Sequence, residues 1–266
     1  MKLPKITNKQ QQILTLLYTY RFLDRKQIQT ILHHKSHKTI TIWLQDLRAK
    51  QYVEWIYSTD FAEKTKPATY HLGINGVRWL RATQNYPVAE IRKRYYDSGR
   101  SQGFISRSKV LADISIELAG KTSESLRYVC QTATEYAGAT SPFHFIQDLE
   151  IPRPDLCYSK QSGSAKTTYL VLFLDATLPR ERVKRRLKLY VDFLDYELAK
   201  WQEKSGEKKR PTVLFICPSL SDLLYAKRRT RKLLRDIPHK DDLHLKFETL
   251  DTVKALGFIN AKWEEA

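Results

Sequence analysis

The chain has 266 residues, of which 42% are hydrophobic and 11% aromatic, a composition that supports one or two buried cores and excludes a disordered basic tail. Lysine and arginine number 46 against 29 acidic residues, and the formal charge of +17 predicts a polyanionic partner, most simply nucleic acid. No apolar run approaches the roughly eighteen residues of a membrane span, and the polar start does not suit a secretory signal. We therefore expect a cytoplasmic protein with no membrane partner.

Three capping patterns predict three short helices in the first 50 residues. Thr7, Asp24 and Ser36 each precede an apolar stripe of helical spacing, and glutamine follows three residues after the first two of them. We expect the first helix over residues 8–20. Three short helices in this order are typical of a helix-turn-helix.

The third helix carries polar and basic residues outside its apolar stripe of Ile40, Trp43, Leu44 and Leu47. Residues 1–50 hold ten basic residues against two acids, Asp24 and Asp46. A solvated helix face is the plainer alternative, but such side chains also suit phosphates and base edges in a major groove. The predicted DNA contacts here are Lys35, His37, Lys38, Thr39, Thr41, Gln45 and Arg48.

Two runs of strand character, residues 52–57 and 68–72, follow the third helix and predict a hairpin. The loop between them contains Lys64 and Lys66, which we expect to contact a phosphate or the minor groove. A hairpin after a helix-turn-helix is a wing. The sequence therefore predicts a winged-helix DNA-binding domain over residues 1–85.

Residues 86–105 are basic, rich in turn residues and weakly periodic, and they predict a linker. Its cations could follow a nucleic-acid backbone. Tyr95 and Tyr96 could stack on bases or pack between helices, and the pattern leaves both alternatives open.

The remainder, residues 106–266, predicts an α/β domain that begins with a helix to about residue 120. We then expect three strands over 126–135, 147–158 and 168–175, followed by a helix over 179–204. A strand over 212–217, a helix over 220–235 and a strand over 243–250 complete the prediction. A helix, three strands, a helix and a strand form the core of the restriction-endonuclease-like fold. The whole chain is therefore expected to be α+β, with a winged helix followed by this domain.

A candidate metal site lies in the predicted strands. In nucleases of this fold, Pro-Asp and a later Asp/Glu-x-Lys lie on adjacent strands, where two carboxylates hold Mg²⁺ and the lysine steadies the attacking hydroxide. Pro154-Asp155 and Asp175-Ala-Thr177 occupy these places, with threonine instead of lysine. Asp155 and Asp175 are the candidate ligands, if Mg²⁺ binds at all.

Several segments together resemble the replication-relaxation proteins of plasmids and other mobile elements, which are related to one class of mobilisation relaxases. The resemblance rests on ILTLLYTYRFLDRKQIQTIL from Ile13, TYHLGINGVRWL from Thr69, and RPD followed by LFLDAT and RRLKLYVDF. It implies a winged helix that binds DNA and a nuclease-like domain used in plasmid replication or in DNA relaxation and transfer.

The chain departs from the pattern of this family at its expected catalytic positions. Phe173 stands where the family has glutamate, and Arg186 replaces a lysine four residues before Tyr190. Away from these catalytic positions, Gly73 also replaces the usual threonine. Phenylalanine cannot bind Mg²⁺, and arginine does not act as a base. Lys184 and Lys188 are candidates for a relocated catalytic lysine.

The plainer interpretation treats Asp155 as a strand-end acid bonded to backbone, and Asp175 as a helix cap or a partner of arginine. Two basic runs, Arg180–Lys188 and Lys227–Arg235, predict phosphate-binding faces or merely solvated ones. The DNA contacts predicted in this domain are Arg185, Arg186, Lys227, Arg228 and Arg229.

The leading hypothesis is that the chain is a non-enzymatic, sequence-selective double-stranded DNA-binding protein of a mobile element. It would need no cofactor, and a homodimer is one possible state. It would act in replication, relaxosome assembly or repression. One alternative is an Mg²⁺-dependent nickase that uses Asp155 and Asp175. Another is a scaffold that recruits a nuclease, a transposase or other replication and transfer proteins.

Overall fold

The computed structural model describes residues 3–57, 67–83 and 85–266. Packing divides the chain into two compact units, Met1–Ile116 and Glu117–Ala266. Within the described part of the chain, every helix is too short or too polar to cross a bilayer.

The first unit is a winged helix. Its elements are α1 (Asn8–Tyr20), β1 (Leu23–Asp24), α2 (Arg25–Ile31), α3 (His37–Ala49), β2 (Val53–Ile56), β3 (Thr69–Leu72), α4 (Ile74–Thr83) and α5 (Val88–Arg94). Another helix, α6 (Gln102–Gly120), continues into the second unit. The predicted capping boxes are present at Thr7 and Asp24, and Ser36 caps α3.

A three-stranded antiparallel sheet of order β1-β3-β2 backs the helices. Helix α3 buries Ile40, Leu44 and Leu47 in the shared core, as its apolar spacing predicts. Trp43 is only partly buried and meets the ring of His34 edge-on, with 5.0 Å between ring centroids. The side of α3 opposite its buried residues is exposed to solvent.

The structure differs from the predicted linker over residues 86–105. Helix α5 packs Ile91 into the core of the first unit, and Arg94 is only 2% exposed. Two of the three guanidinium nitrogens of Arg94, Nε and Nη2, donate to the carbonyl oxygen of Tyr18, at 3.0 and 2.6 Å. Helices are predicted from apolar residues at helical spacing, but α5 buries a charged residue, Arg94, at one of these positions. The segment therefore shows only weak apolar periodicity in the sequence although it is packed. The boundary between units accordingly lies at residue 116.

The second unit contains the strands β4 (Leu126–Thr132), β5 (Leu156–Ser162), β6 (Ala165–Phe173), β7 (Thr212–Cys217), β8 (Leu245–Thr249) and β9 (Glu264–Glu265). Its helices, after the end of α6, are α7 (Arg180–Tyr196), α8 (Leu198–Ser205), α9 (Leu220–Leu234) and α10 (Leu250–Leu256). Short 3-10 helices span His144–Asp148 and Lys240–Asp242.

These strands form one sheet in the order β4-β5-β6-β7-β8-β9. The pairs β4–β5 and β5–β6 are antiparallel, whereas β6–β7 and β7–β8 are parallel. Gly163, with φ of +56°, makes the tight turn between β5 and β6. Leu187, Tyr190 and Leu223 from α7 and α9 pack with Phe215 of β7 in the core. This topology is the restriction-endonuclease-like core.

Two predicted elements of this unit differ most from the observed bounds. The helix expected over 179–204 is interrupted at Glu197, which ends α7 and precedes α8. The strand expected over 147–158 begins only at Leu156, because Pro152 and Pro154 have no N–H to give to a ladder.

Candidate nucleic-acid interface and nuclease-like edge

The solvent side of α3 brings together most of the predicted DNA contacts. The side chain of Ser36 accepts the Thr39 N–H at 3.3 Å and fixes the first turn of the helix. Thr41 is partly exposed, and its hydroxyl donates to the His37 carbonyl at 3.0 Å, so this hydroxyl is already engaged within the helix. The residues of this group that are exposed to solvent are Lys35, His37, Lys38, Gln45 and Arg48.

Arg48 is held in place by an aromatic side chain from the neighbouring strand. Its guanidinium lies 3.7 Å from the centroid of the Trp55 ring, which is a close cation–π contact. Trp55 also stacks on Tyr57, with 5.6 Å between centroids and 21° between ring planes. The contact orients the Arg48 guanidinium, and Arg48, Trp55 and Tyr57 are all exposed to solvent.

Sequence reasoning missed three residues on this surface. Trp55 lies in β2 and Tyr57 one residue beyond it, and a spacing of two places side chains on the same face of an extended chain, which is the signal that could have found them. Ile42 is an exposed apolar residue on α3. An aliphatic side chain on a reading helix suits the methyl group of thymine.

The two basic residues of the wing cannot be placed in the same way. Lys64 and Lys66 lie outside the described residues.

Asp155 immediately precedes β5 and lies beside the end of β6, where a nuclease of this fold would hold its metal. We call this end of the two strands the nuclease-like edge. Its own N–H donates to the Val171 carbonyl at 2.9 Å, and its carboxylate accepts the Phe173 N–H at 2.8 Å. Arg186 of α7 donates to the Phe173 carbonyl at 3.1 Å and places a second nitrogen 3.8 Å from the Asp155 carboxylate. The carboxylate thus joins β5 to β6 and faces a permanent cation.

Asp175, two residues beyond β6, is engaged in a turn. Its carboxylate accepts the Thr177 N–H at 2.9 Å and the Thr177 hydroxyl at 2.7 Å. Such side-chain contacts two residues along the chain are those of an Asx turn. The carboxylate shapes the loop that leads into α7.

The two tyrosines closest to this edge hold the loop before β5. The Tyr190 hydroxyl donates to the Pro152 carbonyl, and the Tyr136 hydroxyl donates to the Pro154 carbonyl. Burial raises the pKa of Tyr190 well above its ordinary value. The Tyr190 hydroxyl therefore remains protonated and serves as a structural donor.

The residues of this edge do not fit a catalytic magnesium site. Phe173, at the place of the family's glutamate, is 2% exposed and offers no oxygen from its side chain. Arg186 already supplies a positive charge beside Asp155. Within the described residues, no three side chains of histidine, cysteine, aspartate or glutamate gather as metal ligands would.

The lysines of α7 are also paired within their own helix. Lys184 lies 3.5 Å from Glu181, and Lys188 lies 2.5 Å from Asp192. The hydrogen bond that Lys188 donates to Asp192 raises the pKa of Lys188, so its ammonium remains a donor and not a base. Arg185 is exposed as well.

The basic run of α9 divides into engaged and exposed members. Lys227 is 11% exposed and forms an ion pair with Glu264. The guanidinium of Arg229 lies 5.4 Å from the centroid of the Tyr225 ring. Arg228 is exposed. Of the five DNA contacts expected in this unit, Arg185 and Arg228 are the ones that the structure leaves exposed.

Comparison with solved structures gives low overall similarity. A MepR variant from a multidrug-resistant S. aureus clinical isolate matches with TM-score 0.27 and 19% identity, over 43% of this chain and 78% of that one. The restriction endonuclease FokI bound to DNA matches with TM-score 0.32 and 10% identity, over 95% of this chain and 46% of that one. FokI alone gives TM-score 0.30 and 11% identity, over 95% of this chain and 45% of that one. No curated protein sequence matches the chain.

The sequence profile of the family described as Replication-relaxation matches residues 14–207. This match covers more than half of the 266 residues, from α1 through the two strands and the helix that surround Asp155. It contains both α3 and the strands on either side of Asp155. The chain therefore belongs to the replication-relaxation family.

Proposed function

We propose that this protein is a sequence-selective double-stranded DNA-binding protein of a plasmid or other mobile element. The observation that carries the proposal is the solvent side of α3, where Lys38, Gln45 and a pre-positioned Arg48 are exposed together. In the major groove arginine donates to the acceptors of guanine, and glutamine both donates to and accepts from adenine, so the two side chains distinguish these bases. An arginine held by an aromatic ring loses little conformational freedom when it binds.

The charge of the protein supports a polyanionic ligand. A net charge of +17 gives a long-range attraction to DNA that does not depend on sequence. If six to ten phosphates are contacted, affinity falls by roughly a thousandfold or more between low and moderate salt. The steepness of this dependence counts the phosphates that the protein neutralises.

The nuclease-like unit has a holding role in this proposal and no catalytic one. Arg186, Phe173 and the engaged carboxylate of Asp155 replace the ligand set that a hydrolytic metal needs. Of the DNA contacts predicted in this unit, the exposed Arg185 is the cation that this proposal assigns to a phosphate backbone. The nickase alternative finds no support in these contacts.

The process served by DNA binding is replication initiation, relaxosome assembly or repression of the element's own genes. Family membership places the protein with replication and relaxation proteins. Selection of bound fragments from the plasmid or genome chooses among the three, because a site at an origin, at a transfer origin or at a promoter has different neighbouring genes.

Fluorescence anisotropy with a selected fragment tests the proposal. The double variant Lys38→Ala with Arg48→Ala should weaken specific binding at least about thirtyfold, because two contacts to bases are lost and each contributes about 1–3 kcal/mol. The control variant Lys204→Ala with Lys254→Ala removes the same charge from exposed positions of α8 and α10 and should bind almost as the wild type does. Equal loss in both variants, or no loss in the first, would contradict recognition through α3.

A further inference from the structure

The exposed side of α9 combines apolar and cationic residues along one stripe. Leu220 is 62% exposed and Leu224 is 58% exposed, although both lie on a well-formed helix that Ser219 caps. Arg228 and Arg231 continue the same face two and three turns along, and both are exposed. Positions separated by three or four residues lie on one side of a helix.

This stripe borders a groove of about 680 Å³. Arg180, at the start of α7, forms part of the wall, and its carbonyl accepts the Tyr225 hydroxyl at 3.2 Å. The guanidinium of Arg180 lies 5.1 Å from the centroid of the Tyr225 ring. The wall is thus fixed by contacts inside this unit, and the groove does not need a ligand in order to form.

The two leucines argue against DNA as the occupant. A phosphate backbone is bound by cations and by polar donors, and burying an aliphatic side chain against it gains little. Exposed leucines at a four-residue spacing are the anchors by which one helix packs on another. The neighbouring cations then select the charge of the segment that is bound.

We infer that this groove is a docking site for an acidic amphipathic helical segment of a partner protein. Apolar residues of the segment pack on Leu220 and Leu224, while its carboxylates face Arg180, Arg228 and Arg231. Charge complementarity selects this occupant, because three exposed cations line the groove and Lys227, the fourth, is paired with Glu264. The inference goes beyond DNA binding through α3 and does not depend on it.

The test uses the full-length protein and a fluorescein-labelled synthetic peptide of about five helical turns. The peptide carries leucines on one face, flanked on both sides by glutamates of the same face. Two control peptides have the same composition in scrambled order, or lysine in place of glutamate. The acidic amphipathic peptide should bind with a saturable anisotropy change, and the control peptides should not. Absence of binding, or equal binding of the scrambled peptide, would overturn the inference.

Variants locate the site. Leu220→Gln with Leu224→Gln should weaken peptide binding at least about tenfold, since two buried leucines are lost from the contact. Leu256→Gln is the matched control, because Leu256 is 51% exposed on α10 and does not line the groove. Equal effects of the double variant and of this control would remove α9 as the docking surface.

Charge reversal tests the second half of the inference. Arg228→Glu with Arg231→Glu should lose the acidic peptide and bind its lysine counterpart, as expected if these side chains select charge. Two other outcomes would assign the stripe to another occupant. A loss of DNA affinity in the leucine variant would make it part of the DNA interface, and a loss of self-association in analytical ultracentrifugation would make it a contact between two copies.

Discussion

Replacing Asp155 by alanine distinguishes two roles of this residue, a structural acid and a ligand for a metal that is absent. The two roles predict changes of opposite sign in the free energy of unfolding of the metal-free protein. The substitution leaves the N–H of Phe173, a residue only 2% exposed, without its carboxylate acceptor at 2.8 Å. A buried donor without a partner costs about 1–3 kcal/mol, and loss of the partly exposed pair with Arg186 adds up to about 1 kcal/mol. We expect a loss of about 2–3 kcal/mol.

Differential scanning calorimetry in the presence of EDTA measures this loss. For a unit of this size the Tm should fall by roughly 5–10 °C. Asp155→Asn keeps an oxygen acceptor for the Phe173 N–H and should cost less. Asp175→Ala, which affects an exposed turn, should cost under about 1 kcal/mol.

The opposite sign would refute this account of Asp155. Ligands of a divalent ion repel one another when the metal is removed, so removal of one ligand leaves the stability of the metal-free protein unchanged or raises it. An unchanged or higher Tm for Asp155→Ala would therefore return Asp155 to the role of a metal ligand.

Three further predictions concern packing and titration. Gly76→Ala should cost about 1–3 kcal/mol by chemical denaturation, because a Cβ there would lie 2.4 Å from a backbone carbonyl oxygen, and a wild-type midpoint would contradict this. Burial raises the pKa of Tyr136 and Tyr190, so the stability they contribute is present below pH 10 and is lost as pH rises above it; a free energy of unfolding that holds or rises from pH 9 to 11 would count against this. Burial also raises the pKa of the Cys217 thiol to about 12, so a thiol reagent at pH 8 should modify the more exposed Cys130 first, and fast labelling of Cys217 in the native protein would show that its site opens.

The fold was largely predictable because its signals are local. Thr7, Asp24 and Ser36 cap their helices, and the buried residues of α3 recur at the spacing from which the helix is inferred. The turn at Gly163 sets the register of β5 against β6. That register alone brings Asp155 beside the end of β6, where Phe173 lies.

The details of both candidate sites depend on contacts between distant elements. Arg186 reaches Asp155 only because α7 packs on the sheet, and no spacing in the sequence reports which way its guanidinium turns. The contact of Arg48 with Trp55 likewise joins α3 to β2. The ion pair between Lys227 and Glu264 neutralises one cation of the basic run on α9, and the sequence of that run alone does not reveal this partner.

We propose that this protein binds DNA without cutting it. A supercoiled plasmid that contains one of the fragments selected for binding should be incubated with saturating protein and Mg²⁺ or Mn²⁺. Gel electrophoresis before and after removal of the protein then shows the state of the plasmid. We predict retarded plasmid before removal and fully supercoiled plasmid after it. Nicked circles that disappear with the Asp155→Ala variant, or plasmid that is never retarded, would contradict the claim.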